Sequence, residues 1–267
     1  MKLTAALASA ILAGTAVAAP LTAARQARNA RRSTSNRQSH PPYKPDTTEI
    51  LELNSTAHVE YSSNWAGAVL IGTGYTSVTG EFTVPTPSVP TGGSSFEEYC
   101  ASAWVGIDGD TCSTAILQTG VDFCVQGSQV AFDAWYEWYP DYAYDFSGID
   151  ISAGDSIRVT VDASSLTTGT ATVENLSTGQ TVTHTFAGGV DGSLCETNAE
   201  WIVEDFSSGN ELVPFADFGT VTFTSAEATG RSGTVGPSGA TIIDIQQGSD
   251  VLTSVSVSGS SVTVEYV

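Results

Sequence analysis

Alternation of side chains with a period of two residues is the feature that most constrains the fold of this chain. It is clearest over residues 198–206. Successive side chains of a strand point to opposite faces. This divides the stretch into one set with Ala199, Trp201, Val203 and Asp205, and a second with Glu200, Ile202, Glu204 and Phe206. Two carboxylates thus share a partly apolar face, which is costly unless they are solvated, paired or neutralised. A solvated concave surface and a general acid/base at one glutamate both remain open.

The same period recurs from Tyr61 to the end of the chain, without a helical period of 3.6. Strands are predicted at 77–84, 98–107, 114–124, 129–139, 156–163, 170–175, 181–186, 219–224, 240–245, 251–257 and 261–267. Residues 85–95 form a loop rich in Pro, Gly and Ser. Closely spaced strands over residues 60–267 predict one all-β, two-sheet antiparallel sandwich or jelly roll.

The first 59 residues differ from the rest in composition. Residues 1–19 have a charged start, an apolar run and a small-residue cleavage site, which is typical of a signal peptide, so we expect a secreted protein without a membrane anchor. Residues 20–59 are basic and contain several prolines. Such a stretch does not build its own core. A linker, a disordered tail and a pro-segment are all consistent with it.

Charge favours the pro-segment. Of 9 Lys and Arg residues, only Arg158 and Arg231 follow residue 59, whereas all but three of the 29 acidic residues do. A basic segment should bind this acidic body and leave as the carboxylates protonate. The shortage of basic side chains also indicates a protein adapted to acid, and nucleic acid is a poor partner for it.

The four cysteines suggest two disulfides, with three connectivities possible from spacing. No spacing indicates zinc, and we expect neither a metal nor a cofactor. Asn175 begins a glycosylation sequon, as does Asn54 in the basic segment.

Several catalytic chemistries find no support in the sequence. His184 is the one histidine after residue 59, lies mid-strand, and has no Gly-x-Ser-x-Gly elbow to accompany it. The signatures of two-aspartate proteases are absent as well. Carboxylates, amides and aromatic residues remain. An acid peptidase, a glycosidase and a carbohydrate-binding module are all consistent with them.

Five motifs, at residues 61–67, 103–109, 116–120, 134–140 and 199–206, strongly resemble those of the fungal glutamic peptidases (eqolisins). They are Tyr-Ser-Ser-Asn-Trp-Ala-Gly, Ala-Trp-Val-Gly-Ile-Asp-Gly, Ile-Leu-Gln-Thr-Gly, Ala-Trp-Tyr-Glu-Trp-Tyr-Pro and Ala-Glu-Trp-Ile-Val-Glu-Asp-Phe. The resemblance covers residues 60–267 and implies two seven-stranded antiparallel sheets in a concanavalin A-like sandwich.

The resemblance also implies site residues. The family's catalytic glutamine and glutamate fall on Gln118 and Glu204, and Glu200 becomes a supporting carboxylate. Lining or supporting positions fall on Trp104, Asp108, Asp122, Trp135, Glu137 and Phe206. The family's disulfides map to Cys100–Cys124 and Cys112–Cys195.

The implied activity is that of a monomeric acid endopeptidase, made as a zymogen, which acts on proteins or peptides. Glu204, ionised in acid, would activate a water, and the Gln118 amide would stabilise the oxyanion. Some family members are cut into two chains at a long dibasic loop. Here loop 85–99 is short and has no Lys or Arg, so we expect a single chain.

Overall fold

The computed structural model describes residues 36–44 and 59–267. The strands of these residues, in chain order, are β1 (Arg37–Gln38), β2 (Val59–Ser62), β3 (Trp65–Ile71), β4 (Tyr75–Thr83), β5 (Glu98–Ile107), β6 (Ile116–Gln126), β7 (Gln129–Tyr139), β8 (Tyr144–Asp145), β9 (Ser156–Ser165), β10 (Thr168–Asn175), β11 (Gln180–Phe186), β12 (Asn198–Glu204), β13 (Ser207–Ser208), β14 (Glu211–Leu212), β15 (Thr220–Gly230), β16 (Gly233–Val235), β17 (Thr241–Gln247), β18 (Asp250–Val251), β19 (Thr253–Ser258) and β20 (Ser261–Tyr266). In these two ranges, no helix is long and apolar enough to cross a membrane.

Two large sheets form the sandwich, which confirms the all-β prediction. One has nine strands in the order β18-β17-β3-β12-β5-β6-β7-β8, with β2 beside β17. The other has eight in the order β11-β10-β9-β4-β15-β20-β19, with β16 beside β15. The implied seven strands per sheet are too few, because short strands such as β8 and β18 extend the edges. Pairing between the strands of these two sheets is antiparallel except between β2 and β17.

The predicted two faces of 198–206 are both present in β12. Ala199, Trp201 and Val203 join the main core between the sheets. Ile202 joins a second apolar cluster on the opposite face, with Trp65, Trp104 and Trp135. Every residue of β12 is buried. The second face is therefore not a solvated surface in this structure, and whatever covers it bears on function.

Two glycines make room for large side chains on this second face. Gly106 of β5 pairs with Glu200 on one side and Gln118 on the other. A Cβ at Gly106 would lie 3.1 Å from Oε1 of Glu200 and 3.4 Å from Cβ of Gln118. At Gly120, a Cβ would lie 2.5 Å from Cβ of Trp104. A side chain at either position would therefore occupy the space beside Glu200, Gln118 and Trp104. We call the surface formed by this second face of the nine-stranded sheet the groove.

Both disulfides are paired as the resemblance implied. Cys100–Cys124 joins directly paired residues of β5 and β6. Cys112–Cys195 joins the loop after β5 to the segment that leads into β12. The second bridge closes a much longer loop, and it fixes the entry to the strand that carries Glu204.

The sequon at Asn175 has an unexpected environment. Its side chain is fully buried. Nδ2 donates to the carbonyl oxygen of Asp150 at 2.8 Å and to Oδ2 of Asp155 at 2.9 Å. A glycan on this nitrogen would displace both contacts. The geometry therefore argues against the predicted glycosylation of Asn175. The Asn54 sequon lies outside the described residues.

Candidate active site

Glu204 lies at the end of β12, on the groove face of the nine-stranded sheet, and is fully buried. Its Oε2 accepts a hydrogen bond from Nε1 of Trp104 at 2.9 Å. Trp104 in turn packs edge-on against Trp65 with 4.9 Å between ring centroids. Large, rigid rings thus set the position of this carboxyl group, as a catalytic group requires.

Gln118 and Glu137 lie further along the same face. They are direct partners in the pairing of β6 with β7. Glu200 of β12 lies on the other side of Gln118, with Gly106 of β5 between the two. All three side chains are fully buried. Among the described residues, neither polar atom of Gln118 and neither carboxylate oxygen of Glu200 has a hydrogen-bond partner. Buried polar groups without partners are costly, so these groups are candidates for contacts with a ligand or with each other.

Residues 36–44 occupy the groove between the loops that border it. Arg37 and Gln38 form β1, which pairs with β13. The backbone N–H of Ala143 donates to the carbonyl of Arg37, and that of Gly209 donates to the carbonyl of Asn36. The segment then crosses the two acidic candidates. The N–H of Ser39 donates to Oε2 of Glu137 at 3.2 Å, and that of His40 donates to Oε1 of Glu204 at 3.3 Å.

Arg37 is the anchor of this segment. Its guanidinium makes two hydrogen bonds of 2.7 Å to Asp122 and lies 3.7 Å from Glu137. Its charged carbon lies 4.1 Å from the ring centre of Trp135 and 4.4 Å from that of Phe206. The side chain is only 3% exposed. A bidentate carboxylate and two aromatic faces form a pocket that fits a guanidinium well.

The structure thus brings together eight of the nine residues that the resemblance placed at the site. Asp108 has a different task. It accepts five hydrogen bonds from residues 195–198, including 2.6 Å from the N–H of Cys195 and 3.1 Å from that of Asn198. It therefore supports the site by holding the turn that leads into β12, and does not touch the segment in the groove.

Burial controls the protonation of the groove. It raises the pKa of Glu204 to about 7, against the opposing effects of Ser39, Arg37, His40 and Trp104. It also raises the pKa of Glu137 and of Glu200 well above their usual range, and the charges of Asp108 and Asp110 add to the rise at Glu200. With the groove occupied, Glu204 keeps its proton in acid. This differs from the expected ionised base, because the segment excludes water from the carboxyl group.

Comparisons with known proteins decide the family. The sequence pattern of the Peptidase A4 family matches residues 63–266. The chain belongs to this family. It is 64% identical to Aspergillopepsin-2 of Aspergillus niger, over the full length of both chains. It is 49% identical to Scytalidopepsin B of Scytalidium lignicola, over 77% of this chain and 78% of that protein.

Solved structures agree with this assignment. The crystal structure of scytalido-glutamic peptidase with a transition state analog inhibitor has a TM-score of 0.71 and 48% identity, over 77% of this chain and 98% of that one. Aspergilloglutamic peptidase from Aspergillus niger has a TM-score of 0.62 and 73% identity, over 63% of this chain and 99% of that one. The protein is a glutamic-type acid endopeptidase, and the resemblance stated from the five motifs is confirmed.

Sequence reasoning missed two residues of this peptidase's groove. Arg37 was one of six basic residues between positions 20 and 59, and nothing local marks it as the one that meets Asp122, 85 residues away. Asn64 lies in the first of the five motifs, but received no role. Only the position of the segment reveals that Asn64 contacts residues 40, 41 and 43.

The raised pKa values predict that the full-length peptidase is more stable in acid than at neutral pH. A carboxyl group whose pKa is raised by folding stabilises fully below its unfolded pKa and loses that contribution as pH rises to the folded value. For Glu204 this window runs from about 4.5 to about 7, which corresponds to on the order of 3 kcal/mol. The total change in the free energy of unfolding between pH 4 and 7 can be measured by urea unfolding. The Gln118→Ala variant is used for this measurement because self-cleavage should be slow in it.

The control is the same variant with Glu204→Gln added, which should lose less stability across that window because one titrating group is gone. Unfolding free energies that rise from pH 4 to pH 7, or identical slopes for the two variants, would contradict the prediction.

Proposed function

We propose that this protein is a secreted acid endopeptidase that hydrolyses peptide bonds with a Glu204–Gln118 dyad, and that it is made as a zymogen. The observation that supports the dyad best is the shared groove, where a peptide segment lies across Glu204 with one N–H on its carboxylate. Gln118 is on the same face with both polar atoms free of partners among the described residues. The predicted signal peptide, which supports secretion, lies outside the described residues.

The chemistry needs only these two side chains and water. Once the segment leaves and water enters, the burial that raises the pKa of Glu204 falls, and the carboxylate can take a proton from a water molecule. The water oxygen bonds to the scissile carbonyl carbon, and the carbonyl electrons move to its oxygen, where the Gln118 amide donates a hydrogen bond. Glu204 then gives its proton to the leaving nitrogen. The C–N bond breaks to yield an acid and an amine.

The zymogen proposal rests on the position of residues 36–44. The N–H of His40 lies on Oε1 of Glu204, the oxygen that an activated water would need. Arg37 fills the acidic pocket and lies over Trp135 and Phe206. A segment in this position excludes both water and substrate. Because the pKa of Glu204 is raised while the groove is occupied, acid by itself favours the bound segment, so release requires cleavage of the chain that joins the segment to the groove.

Digestion of an acid-unfolded protein at about pH 3 tests the activity. We expect the processed protein to cut it into peptides whose new termini show hydrolysis of backbone amides. A folded, processed protein that leaves every peptide bond intact would contradict the proposal. Polysaccharide cleavage in its place would favour a glycosidase with Glu137 and Glu204 as the carboxylate pair.

Gln118→Ala should lower kcat by about 100-fold or more, because the oxyanion loses its amide donor. KM should change far less, since the donor acts on charge that develops in the transition state. Steady-state kinetics on a fluorogenic peptide at about pH 3 separate the two constants. An unchanged kcat would remove Gln118 from the dyad.

A further inference from the structure

Residues 36–44 show which side chains of the groove can bind a peptide main chain, and among the described residues Asn64 makes more such contacts than Glu204 or Glu137. Its Oδ1 accepts a hydrogen bond from the N–H of Tyr43 at 2.8 Å. Its Nδ2 donates to the carbonyl of His40 at 3.3 Å and to that of Pro41 at 3.5 Å. Asn64 is fully buried. One amide side chain thus binds a stretch of four residues through backbone atoms.

Asn64 is held in place before any peptide arrives. The hydroxyl of Ser62 donates to Oδ1 at 2.8 Å and accepts from the N–H groups of Asn64 and Trp65, each at 3.2 Å. Because Ser62 bonds to Oδ1, Nδ2 is the end of the amide that remains for carbonyl groups. The carbonyl of Asn64 accepts from the N–H of Asp205 at 2.9 Å. Asn64 is therefore joined directly to the residue after Glu204.

The contacts also have a direction. The N–H of His40 donates a hydrogen bond to Glu204, so the peptide bond between Ser39 and His40 is the one nearest the proposed base. All three Asn64 contacts fall on residues 40–43, which follow that bond. None of them involves a side chain of the segment.

We propose that Asn64 binds the main chain of the substrate on the carboxyl-terminal side of the scissile bond. This inference rests on the proposed function, because it takes the segment as a guide to how a substrate lies. Backbone contacts leave the substrate side chains free to vary. They do require an N–H at the position of Tyr43, the fourth residue after the scissile bond, so proline there should be disfavoured.

The experiment uses pairs of peptides that extend five residues to each side of the cleaved bond. In one of each pair, an ester replaces the amide N–H of a single residue. With the wild-type enzyme at about pH 3, the ester at the fourth position after the bond should lower kcat/KM by about 5- to 10-fold, mainly through KM, because the buried Oδ1 of Asn64 loses one of its two donors and keeps only Ser62. An ester at the fourth position before the bond is the matched control and should have little effect.

The variant Asn64→Leu tests whether the side-chain amide of Asn64 is the group that senses the ester. It should cleave the amide and ester peptides of the fourth position at equal rates, both well below the wild-type rate on the amide. The wild-type measurements need no variant, so they stand even if Asn64→Leu folds poorly. Wild-type indifference to that ester, sensitivity at the amino-terminal position instead, or an unimpaired Asn64→Leu enzyme would each overturn the inference. A Glu204→Gln variant assayed in parallel distinguishes failure of the proposed dyad from failure of the proposed role of Asn64. Normal cleavage by this variant would contradict the dyad and not the role of Asn64.

Discussion

Glu204→Gln is expected to remove peptidase activity while leaving the fold intact. The two side chains are nearly equal in shape, and the amide oxygen can still accept from Nε1 of Trp104. An amide cannot take a proton from water at any working pH, however, so the general base is lost. We expect kcat/KM at about pH 3 to fall by 10²- to 10⁴-fold or more. The full chain can be processed in trans by a tagged wild-type enzyme that is then withdrawn, and assayed on a fluorogenic peptide.

Glu200→Gln is the matched control for this variant. Glu200 is equally buried, lies on the same strand and face, and has a pKa that is also raised by burial. If the loss of any buried carboxyl group on this face abolished activity, both variants would be inactive. If Glu204 is the general base, only Glu204→Gln should be inactive. Normal cleavage by Glu204→Gln, or a dead Glu200→Gln beside an active Glu204→Gln, would show that the wrong glutamate has been assigned.

Arg37→Ala should greatly weaken inhibition by the segment. In the folded chain the guanidinium is almost fully buried against Asp122, Glu137 and two rings. Truncation of a buried, hydrogen-bonded charge typically costs about 3–5 kcal/mol. This corresponds to a loss of about 100-fold or more in affinity. Inhibition constants of synthetic peptides of residues 20–44, added to processed enzyme at about pH 4, measure it.

Lys44→Ala in the same peptide provides the comparison. Lys44 lies 3.2 Å from Glu60 and 3.7 Å from Asp110, but its side chain is 59% exposed. Exposed ion pairs contribute little, so this change should weaken inhibition by about fivefold at most. If both peptides inhibited equally, net charge and not the Arg37 pocket would hold the segment.

The strand pattern was predictable because successive side chains of β12 point alternately into the core between the sheets and onto the opposite face. The alternation placed Trp201 in the sandwich and Glu204 on the groove face. The extent of β15 was not predictable from the same rule. The strand was expected to end at residue 224, but continues to Gly230. It passes from β20 to β4 at a bulge where Ser225 has a φ of 49°, and the bulge interrupts the alternation.

The content of the groove could be predicted only in part. Charge alone predicted that the basic segment binds the acidic body. It could not identify Arg37 or the contacts to Asn64, because these depend on residues that are distant in sequence and meet only through the sheet. The buried state of Asn175 was equally hidden, since a sequon carries no sign of the contacts to Asp150 and Asp155.

The segment and the groove belong to one polypeptide, joined through residues 45–58. A tethered ligand experiences an effective concentration in the millimolar range, whatever the concentration of the protein. Inhibition before processing should therefore be independent of dilution. Once the connection is cut, the segment becomes an ordinary competitor that disperses into the surrounding volume. If the protein is the zymogen proposed above, the contacts that inhibit the precursor would then hold only a small fraction of the cleaved enzyme in a large volume, so dilution would itself complete activation.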